Sequence, residues 1–208
     1  MNVLITAGPT REYIDQVWFL SNPSSGRTGY ALAGVFAEAG HDVTLISGPT
    51  SLAAPAGVRL VGVTSTEEML SAVTQHVAAA EVVIMSAAPV DYRPVHRKAG
   101  KMKKSADKML VELVRNPDIL EQIGQDKGGR VLVGFALETD EVRSRALQKL
   151  KQKNLDLIVA NTPSAFGGDR TSVEILGRDG VVDTLNDVTK EELGRRLLRL
   201  VEAAGERS

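Results

Sequence analysis

Short apolar runs recur along this chain, separated by stretches with helical periodicity, and that rhythm constrains the fold more than any other feature. The runs are Val3–Ala7, Asp42–Ile46, Val58–Val63, Glu81–Met85, Val131–Phe135 and Asp156–Ala160. Helical patterns fall at 28–39, 66–79, 117–124 and 139–152. Largely apolar runs of this length suit strands buried on both faces, and a crossover helix between two strands leaves them parallel. The expectation is an α/β, Rossmann-like fold, a mostly parallel sheet with helices on both faces. Gly40 closes the first helix as a C′ residue. Ser65 with Glu68 reads as a capping box for the second. Near the end, Ser172–Leu176 and Val181–Leu185 flank Gly177-Arg178-Asp179-Gly180, the pattern of a β-hairpin. A last helix at 188–203 places Leu193, Leu197, Leu198 and Val201 on one face. Residues 1–204 are expected to form a single domain, with 205–208 as a disordered tail.

A chain of 208 residues can hold one core, burying roughly 70% of its unfolded surface. A net charge of −1 gives no global field that would draw nucleic acid or membrane. The absence of cysteine excludes a disulfide scaffold, a thiolate zinc site and a cysteine nucleophile. It also fits a cytoplasmic protein. No apolar run reaches the ~18 residues of a membrane span. A strand at the first residues is expected to leave no room for a signal peptide.

Four segments could carry chemistry. In the first, the strand Val3–Ala7 runs into Gly8-Pro9-Thr10-Arg11, and a polar insert ends in Ser21-Asn22-Pro23-Ser24-Ser25-Gly26-Arg27-Thr28-Gly29 before the helix begins. Strand, glycine turn and helix start hold phosphates through free N–H groups and the helix dipole. Gly8, Ser24, Ser25, Gly26 and Arg27 are candidates, and Gly29 would let backbone approach a ligand. A plain N-cap with a tight turn accounts for the same residues. The usual G-x-G-x-x-G is absent, which disfavours a standard NAD site.

The second segment, Ser86-Ala87-Ala88-Pro89-Val90-Asp91, follows a strand at the end where open α/β sheets bind ligands. Asp91 could accept from a ribose hydroxyl or a base amine, or simply cap an Asx-turn. In the third, Arg93, Arg97, Lys98, Lys101, Lys103, Lys104 and Lys108 lie in a stretch at 87–108 without a clear helix. Such a run is a solvated face or a flap that is mobile when empty and ordered over a polyphosphate. Single-stranded nucleic acid would call for interleaved aromatics, and only Tyr92 is near, so a triphosphate is preferred. In the fourth, Arg145, Lys149 and Lys153 repeat at i, i+4, i+8, which a solvated helix face also explains.

No His, Asp or Glu cluster has metal-ligand spacing, and His41, His76 and His96 are scattered. Any Mg²⁺ would take most of its ligands from nucleotide phosphates and water. The residues four after Tyr13, Tyr30 and Tyr92 are Val17, Gly34 and His96, so there is no Tyr-x-x-x-Lys dyad of a short-chain dehydrogenase.

The motifs together resemble those of bacterial phosphopantothenoylcysteine synthetases, the ligase half of bifunctional coenzyme A biosynthesis proteins. They run in order over nearly the whole chain. Thr6-Ala7-Gly8-Pro9-Thr10-Arg11-Glu12, Asp15, Asn22 and Ser24-Ser25-Gly26 come first, then Ser47-Gly48-Pro49. Ala87-Ala88, Asp91-Tyr92-Arg93 and Lys101-Met102-Lys103-Lys104 follow. Asn116-Pro117-Asp118-Ile119, Gly134-Phe135-Ala136, Glu138-Thr139, Lys153-Asn154-Leu155-Asp156 and Ala160-Asn161 complete the set. The flavin-dependent decarboxylase half usual upstream is missing from this sequence, so a stand-alone synthetase or an excised domain is expected.

The resemblance implies a CTP-dependent ligase. The carboxylate of 4′-phosphopantothenate attacks the α-phosphate of CTP and pyrophosphate leaves. The amine of L-cysteine then captures the acyl-cytidylate, releasing CMP. Such a site needs positive charge and Mg²⁺. By resemblance, Ala87, Asp91, Phe135, Lys149 and Lys153 bind CTP, as does the turn Pro117, Asp118, Ile119 and Leu120. Gly8, Ser24 and Ser86 border that pocket, and Ser25, Gly26 and Arg27 form its phosphate loop. Lys101 is the flap lysine of the first half-reaction. Asn22 serves turnover of the acyl-cytidylate, its amide donating to the developing oxyanion. The resemblance also implies a homodimer with shared active sites, for which the hairpin near 172–185 is a candidate element. Two stretches depart from the family pattern. Asp15-Gln16-Val17-Trp18 replaces the usual Asp-Pro-Val-Arg, and Trp18 cannot make an arginine's contact to an anion. Pro23 and Arg27-Thr28 stand where His and Lys-Met are common, and Arg27 keeps the charge in a different geometry.

Overall fold

The computed structural model describes residues 1–103, 108–138, 140–161 and 168–205. The chain opens with strand β1 (Asn2–Ala7) and a small ribbon, β2 (Arg11–Tyr13) with β3 (Phe19–Ser21). Helix α1 (Arg27–Glu38), β4 (Asp42–Ser47), β5 (Val58–Gly62), α2 (Thr66–Val77) and β6 (Val82–Met85) follow. A second ribbon pairs β7 (Tyr92–Pro94) with β8 (Leu113–Arg115). Then come α3 (Ile119–Gln125), β9 (Val131–Leu137), α4 (Val142–Gln152) and β10 (Leu157–Asn161). The hairpin β11 (Arg170–Gly177) and β12 (Gly180–Thr189) leads into α5 (Lys190–Gly205).

One sheet has the order β12-β11-β10-β9-β6-β1-β4-β5. From β5 to β10 every pair is parallel, while β10–β11 and β11–β12 are antiparallel. Numbered along the chain, the parallel strands stand 3-2-1-4-5-6, the doubly wound order, which reverses between β1 and β6. Alternate residues of β1 serve opposite faces. Val3, Ile5 and Ala7 join Leu32, Phe36, Leu193 and Leu197 under α1 and α5. Leu4 joins Met69, Ile123 and Leu150 under α2, α3 and α4. This double burial explains why the parallel strands read as continuous apolar runs.

The expected helices and strands are present within a few residues, and α5 continues through Gly205. Residues 206–208 of the expected tail lie outside the described residues. Gly40 takes φ +85 after the C-cap Ala39, as a C′ residue should. The capping box at α2 is altered. Ser65 Oγ accepts from Glu68 N–H at 3.1 Å, but the Glu68 carboxylate receives Thr64 N–H at 2.6 Å instead of the cap's own. A complete box caps α5, where Thr189 N–H reaches Glu192 Oε2 and Glu192 N–H reaches Thr189 Oγ1.

The segment expected to be one long flap is partly ordered structure. Tyr92–Pro94 is a strand, and Asn116 N–H donates to Asp91 O at 2.7 Å beside it. Three-residue strands, one of them ending in proline, carry too little periodicity to stand out in sequence. The flap's near half is also anchored. Lys98 N–H donates to Ile14 O, Gln16 Nε2 to Ala99 O, and Arg97 stacks on Tyr13 at 4.8 Å. Residues 104–107 lie outside the described residues.

Candidate active site at the sheet reversal

The carboxyl ends of β1 and β6 continue side by side past the sheet. Ala88 N–H donates to Gly8 O at 2.9 Å, and Pro9 and Ala88 form an isolated parallel bridge. A cavity of about 340 Å³ opens beside this crevice. Its floor is Ser86, Ala87 and Ala88 after β6, Phe135, Ala136 and Leu137 at the end of β9, and Asn161 at the end of β10. Its wall is the loop Asn22, Ser24, Ser25 and Gly26 with Arg27, Thr28 and Gly29 of α1, and Lys149, Gly168 and Lys190 close it. The location follows from topology, because neighbouring helices diverge to opposite faces where the strand order reverses.

Local bonding shapes the wall. Gly26, the N-cap of α1, has φ +79, a backbone conformation that favours glycine. A Cβ there would also lie 3.3 Å from Gly8 Cα, so Gly8 borders the loop from behind without lining the cavity. No side chain caps the α1 N-terminus, although Arg27 N–H lies 3.5 Å from Ser25 Oγ. Gly29 has a packing role as well. A Cβ there would meet Ala7 Cβ at 2.5 Å and Thr6 O at 3.0 Å, so this glycine lets α1 lie on β1 while its backbone lines the cavity. Ser86 Oγ donates to Thr6 O at 2.6 Å and ties β6 to β1.

Asn22 also differs from its expected use. Its Nδ2 donates to Ala88 O and Pro89 O, each at 3.1 Å. Both amide protons are engaged, and Oδ1 remains as an acceptor. That geometry does not support donation to an oxyanion.

The cations of α4 are paired with carboxylates while remaining partly exposed to solvent. Lys149 Nζ lies 2.6 Å and Arg145 3.7 Å from the carboxylate of buried Glu138. Lys153, the C-cap of α4, meets Asp118 Oδ2 at 2.6 Å. Asp118 is the N-cap of α3, its Oδ1 accepting from Glu121 N–H at 3.0 Å. Burial works to raise the Asp118 pKa. The bond from Lys153, the Glu121 N–H and the charges of Lys153 and Arg115 outweigh it, and the net shift is downward. Ile119 is core and Leu120 packs against that core, so Pro117–Leu120 can offer a ligand mainly backbone.

The structure thus gathers Asn22, Ser24, Ser25, Gly26, Arg27, Ser86, Ala87, Phe135 and Lys149 around one cavity. Asp91, Lys101, Pro117, Asp118, Ile119, Leu120 and Lys153 stand outside its lining. The Asp91 carboxylate is exposed and forms no Asx-turn among the described residues. Lys101 lies beside Asp15, whose pKa is held down by N–H bonds from Met102, Trp18 and Val17, against an opposing effect of desolvation and with help from the Lys101 charge. Arg93 is bonded to Arg115 O and Asn116 Oδ1, so it and Arg97 serve the ribbons.

Sequence reading missed two further features. Lys190 and Asn161 line the cavity; Asn161 stands among the family motifs without a site role, and only its place at a helix start hinted at Lys190. A buried network was also missed. Glu12 accepts from Thr66 N–H (2.8 Å) and Asn116 Nδ2 (3.2 Å), while Thr10 Oγ1 accepts from Val90 N–H at 2.9 Å. It joins β2, α2 and the loop after β6. Among the described residues, no group of three or more His, Cys, Asp or Glu could hold a metal, and no helix is long and apolar enough to cross a membrane.

Residues 1–204 match the family model described as the DNA/pantothenate metabolism flavoprotein C-terminal domain. The chain belongs to this family. Its curated relatives include the coenzyme A biosynthesis bifunctional protein CoaBC of Bacillus subtilis, 43% identical over 100% of this chain and 53% of the relative. The CoaBC of Escherichia coli K12 is 41% identical over 95% of this chain and 50% of the relative. The chain therefore spans about half the length of the curated relatives it matches. Among solved structures, the C-terminal domain of a CoaBC is 42% identical, covers 100% of this chain and 96% of its own, and superposes with a TM-score of 0.87. A Cab2 mutant in complex with phosphopantothenate-cysteine, 19% identical with a TM-score of 0.82 over 99% of this chain and 86% of its own, shares the fold. The eight-stranded sheet of this chain is thus a flavoprotein C-terminal domain architecture, and its sheet-reversal cavity lies within the matched residues.

Proposed function

We propose that this chain is a phosphopantothenate–cysteine ligase that uses CTP. Membership of the family over residues 1–204 carries the reading, together with the motifs that resemble those of the phosphopantothenoylcysteine synthetase half of such bifunctional proteins. The cavity supports it with hydroxyls, an aromatic ring and cations at the carboxyl end of a parallel sheet. The carboxylate of 4′-phosphopantothenate attacks the α-phosphorus of CTP. A new P–O bond forms, and the bond to the pyrophosphate oxygen breaks with its electron pair. The amine of L-cysteine then attacks the acyl carbon, loses a proton and displaces CMP.

In this reading Phe135, Ala87 and Lys149 hold the nucleotide, with Asp91, Lys153 and the Pro117–Leu120 turn at its outer end. Ser24, Ser25, Gly26 and Arg27 face its phosphates. Lys101 closes from the flap for the first step. Asn22 acts in the second step through Oδ1, which accepts an N–H of the incoming amine and aims the nitrogen lone pair at the acyl carbon. The donor set suits phosphate oxygens, so Mg²⁺ would enter with CTP and neutralise phosphate charge there.

We further infer a cytoplasmic homodimer. Val17, Trp18 and Phe19 at the β2–β3 ribbon and Leu113 and Val114 of β8 are exposed apolar side chains, and adjacent ribbons carry them. A second copy is the natural cover for such a surface. The 172–185 hairpin is engaged in the main sheet through β11, which leaves only β12 as an edge.

Incubation with CTP, Mg²⁺, 4′-phosphopantothenate and L-cysteine should give pyrophosphate, CMP and phosphopantothenoylcysteine, read by mass spectrometry. Nucleotide binding without product would instead make the chain a non-catalytic nucleotide-binding module. Replacing CTP by ATP tests the nucleotide choice.

A further inference from the structure

Glu138 is a buried carboxylate that does not itself line the cavity. It directly follows β9, whose Phe135 and Leu137 form part of the cavity floor. Its N–H donates to Asn161 O at 3.1 Å, so the end of β10 fixes its backbone. Among the described residues, its Oε1 has no polar partner besides the Lys149 ammonium at 2.6 Å, and Arg145 stands off at 3.7 Å. Lys149 and Arg145 in turn have no other carboxylate partner among those residues.

Burying a carboxylate is costly, and cations that stay about half exposed offset only part of that cost. An apolar side chain would fill the same place more cheaply. What the carboxylate supplies is direction. A lysine free in solvent samples many rotamers, and a ligand that uses it must overcome the entropy of ordering it. Here Glu138 takes one side of the Lys149 ammonium and fixes Nζ at the cavity edge. An ammonium has three N–H donors, so donors remain for a ligand. One carboxylate between two cations also leaves a net positive charge, so the attraction for an anion survives. We propose that Glu138 is a positioning residue for the nucleotide, holding the Lys149 ammonium ordered in advance at the edge of the cavity. This rests on the reading in which Lys149 binds CTP.

The test is calorimetric titration of the whole chain with CTP and Mg²⁺, as wild type, Glu138→Gln, Lys149→Gln and the double variant. Thermal unfolding of each accompanies it. Glu138→Gln keeps the shape and removes the charge. It should bind CTP about tenfold more weakly, the scale of one weakened hydrogen bond to a charged group. The double variant should bind CTP no more weakly than Lys149→Gln, because Glu138 acts through Lys149. Glu138→Asp keeps the charge but withdraws it by one methylene, and it serves where Glu138→Gln does not fold. Its CTP affinity should fall between those of the wild type and Glu138→Gln, with no further loss in the Lys149→Gln background. In turnover, Glu138→Gln should raise the KM for CTP about tenfold and leave kcat within about threefold. Unchanged or tighter CTP binding in either Glu138 variant overturns the proposal. So does a double variant weakened by the full product of the two single losses, which would make Glu138 a structural residue. Because the titration needs no turnover, a chain that forms no phosphopantothenoylcysteine yet shows this coupling refutes the ligase reading alone. A chain that forms product without the coupling refutes the role of Glu138 alone.

Discussion

Asp118 shows how one side chain can serve the fold at a position that family resemblance gives to the nucleotide. It caps α3 and pairs with Lys153, and its pKa lies below the ordinary aspartate value. The folded protein therefore holds fewer protons at this group than the unfolded chain. The resulting stability is present above the unfolded pKa near 3.8 and is lost as pH falls through the lower folded value. Asp118→Asn should reduce stability at pH 7 and flatten its decline below about pH 4, as acid unfolding followed by circular dichroism will show. Asn22 is a separate case. Asn22→Ala should keep CTP- and phosphopantothenate-dependent pyrophosphate release while forming little phosphopantothenoylcysteine. Equal loss of both steps would refute a role confined to the second.

At the scale of elements, the decisive fit is α1 on β1. Gly29→Ala would drive a methyl group into Ala7 Cβ and Ser86 Oγ, contacts of 2.5 and 2.7 Å. Overpacking of this kind costs about 1–3 kcal/mol, and it would move the α1 N-terminus away from the cavity. Urea unfolding should show the lost stability, and nucleotide affinity should fall with it. The parallel strands and their helices were legible because burial on both faces forces continuous apolar runs, and β1 spells this out residue by residue. The ribbons β2–β3 and β7–β8 were not, because three-residue strands carry no period and are held by side-chain bonds from Glu12 and Asn116 across long sequence separations. The same division holds for the cavity. Ser24–Arg27 announced themselves by following a strand and glycine turn. Lys190 did not, since a lysine opening an amphipathic helix looks like any surface cation until the packing of α5 is known.

For the molecule as a whole, the exposed apolar ribbons set the expected assembly. Trp18 is about half exposed where the family pattern has arginine, and its N–H and C=O are used locally by Asp15 and Ile14. Its side chain is then available to a second copy. Trp18→Glu should shift the protein from dimer to monomer in sedimentation velocity and should lower activity if the sites are shared. An unchanged sedimentation coefficient would move the interface elsewhere.

The pairing of α1 with α5 has a consequence for synthesis. The face of the sheet beneath α1 is completed by Leu193, Leu197 and Val201, which the ribosome delivers after every strand has been made. Until then a nascent chain presents the apolar side of β9, β10 and β11 uncovered. A stop codon ahead of Leu193 would leave α1 alone on that face, with the apolar side chains of β9, β10 and β11 exposed to solvent.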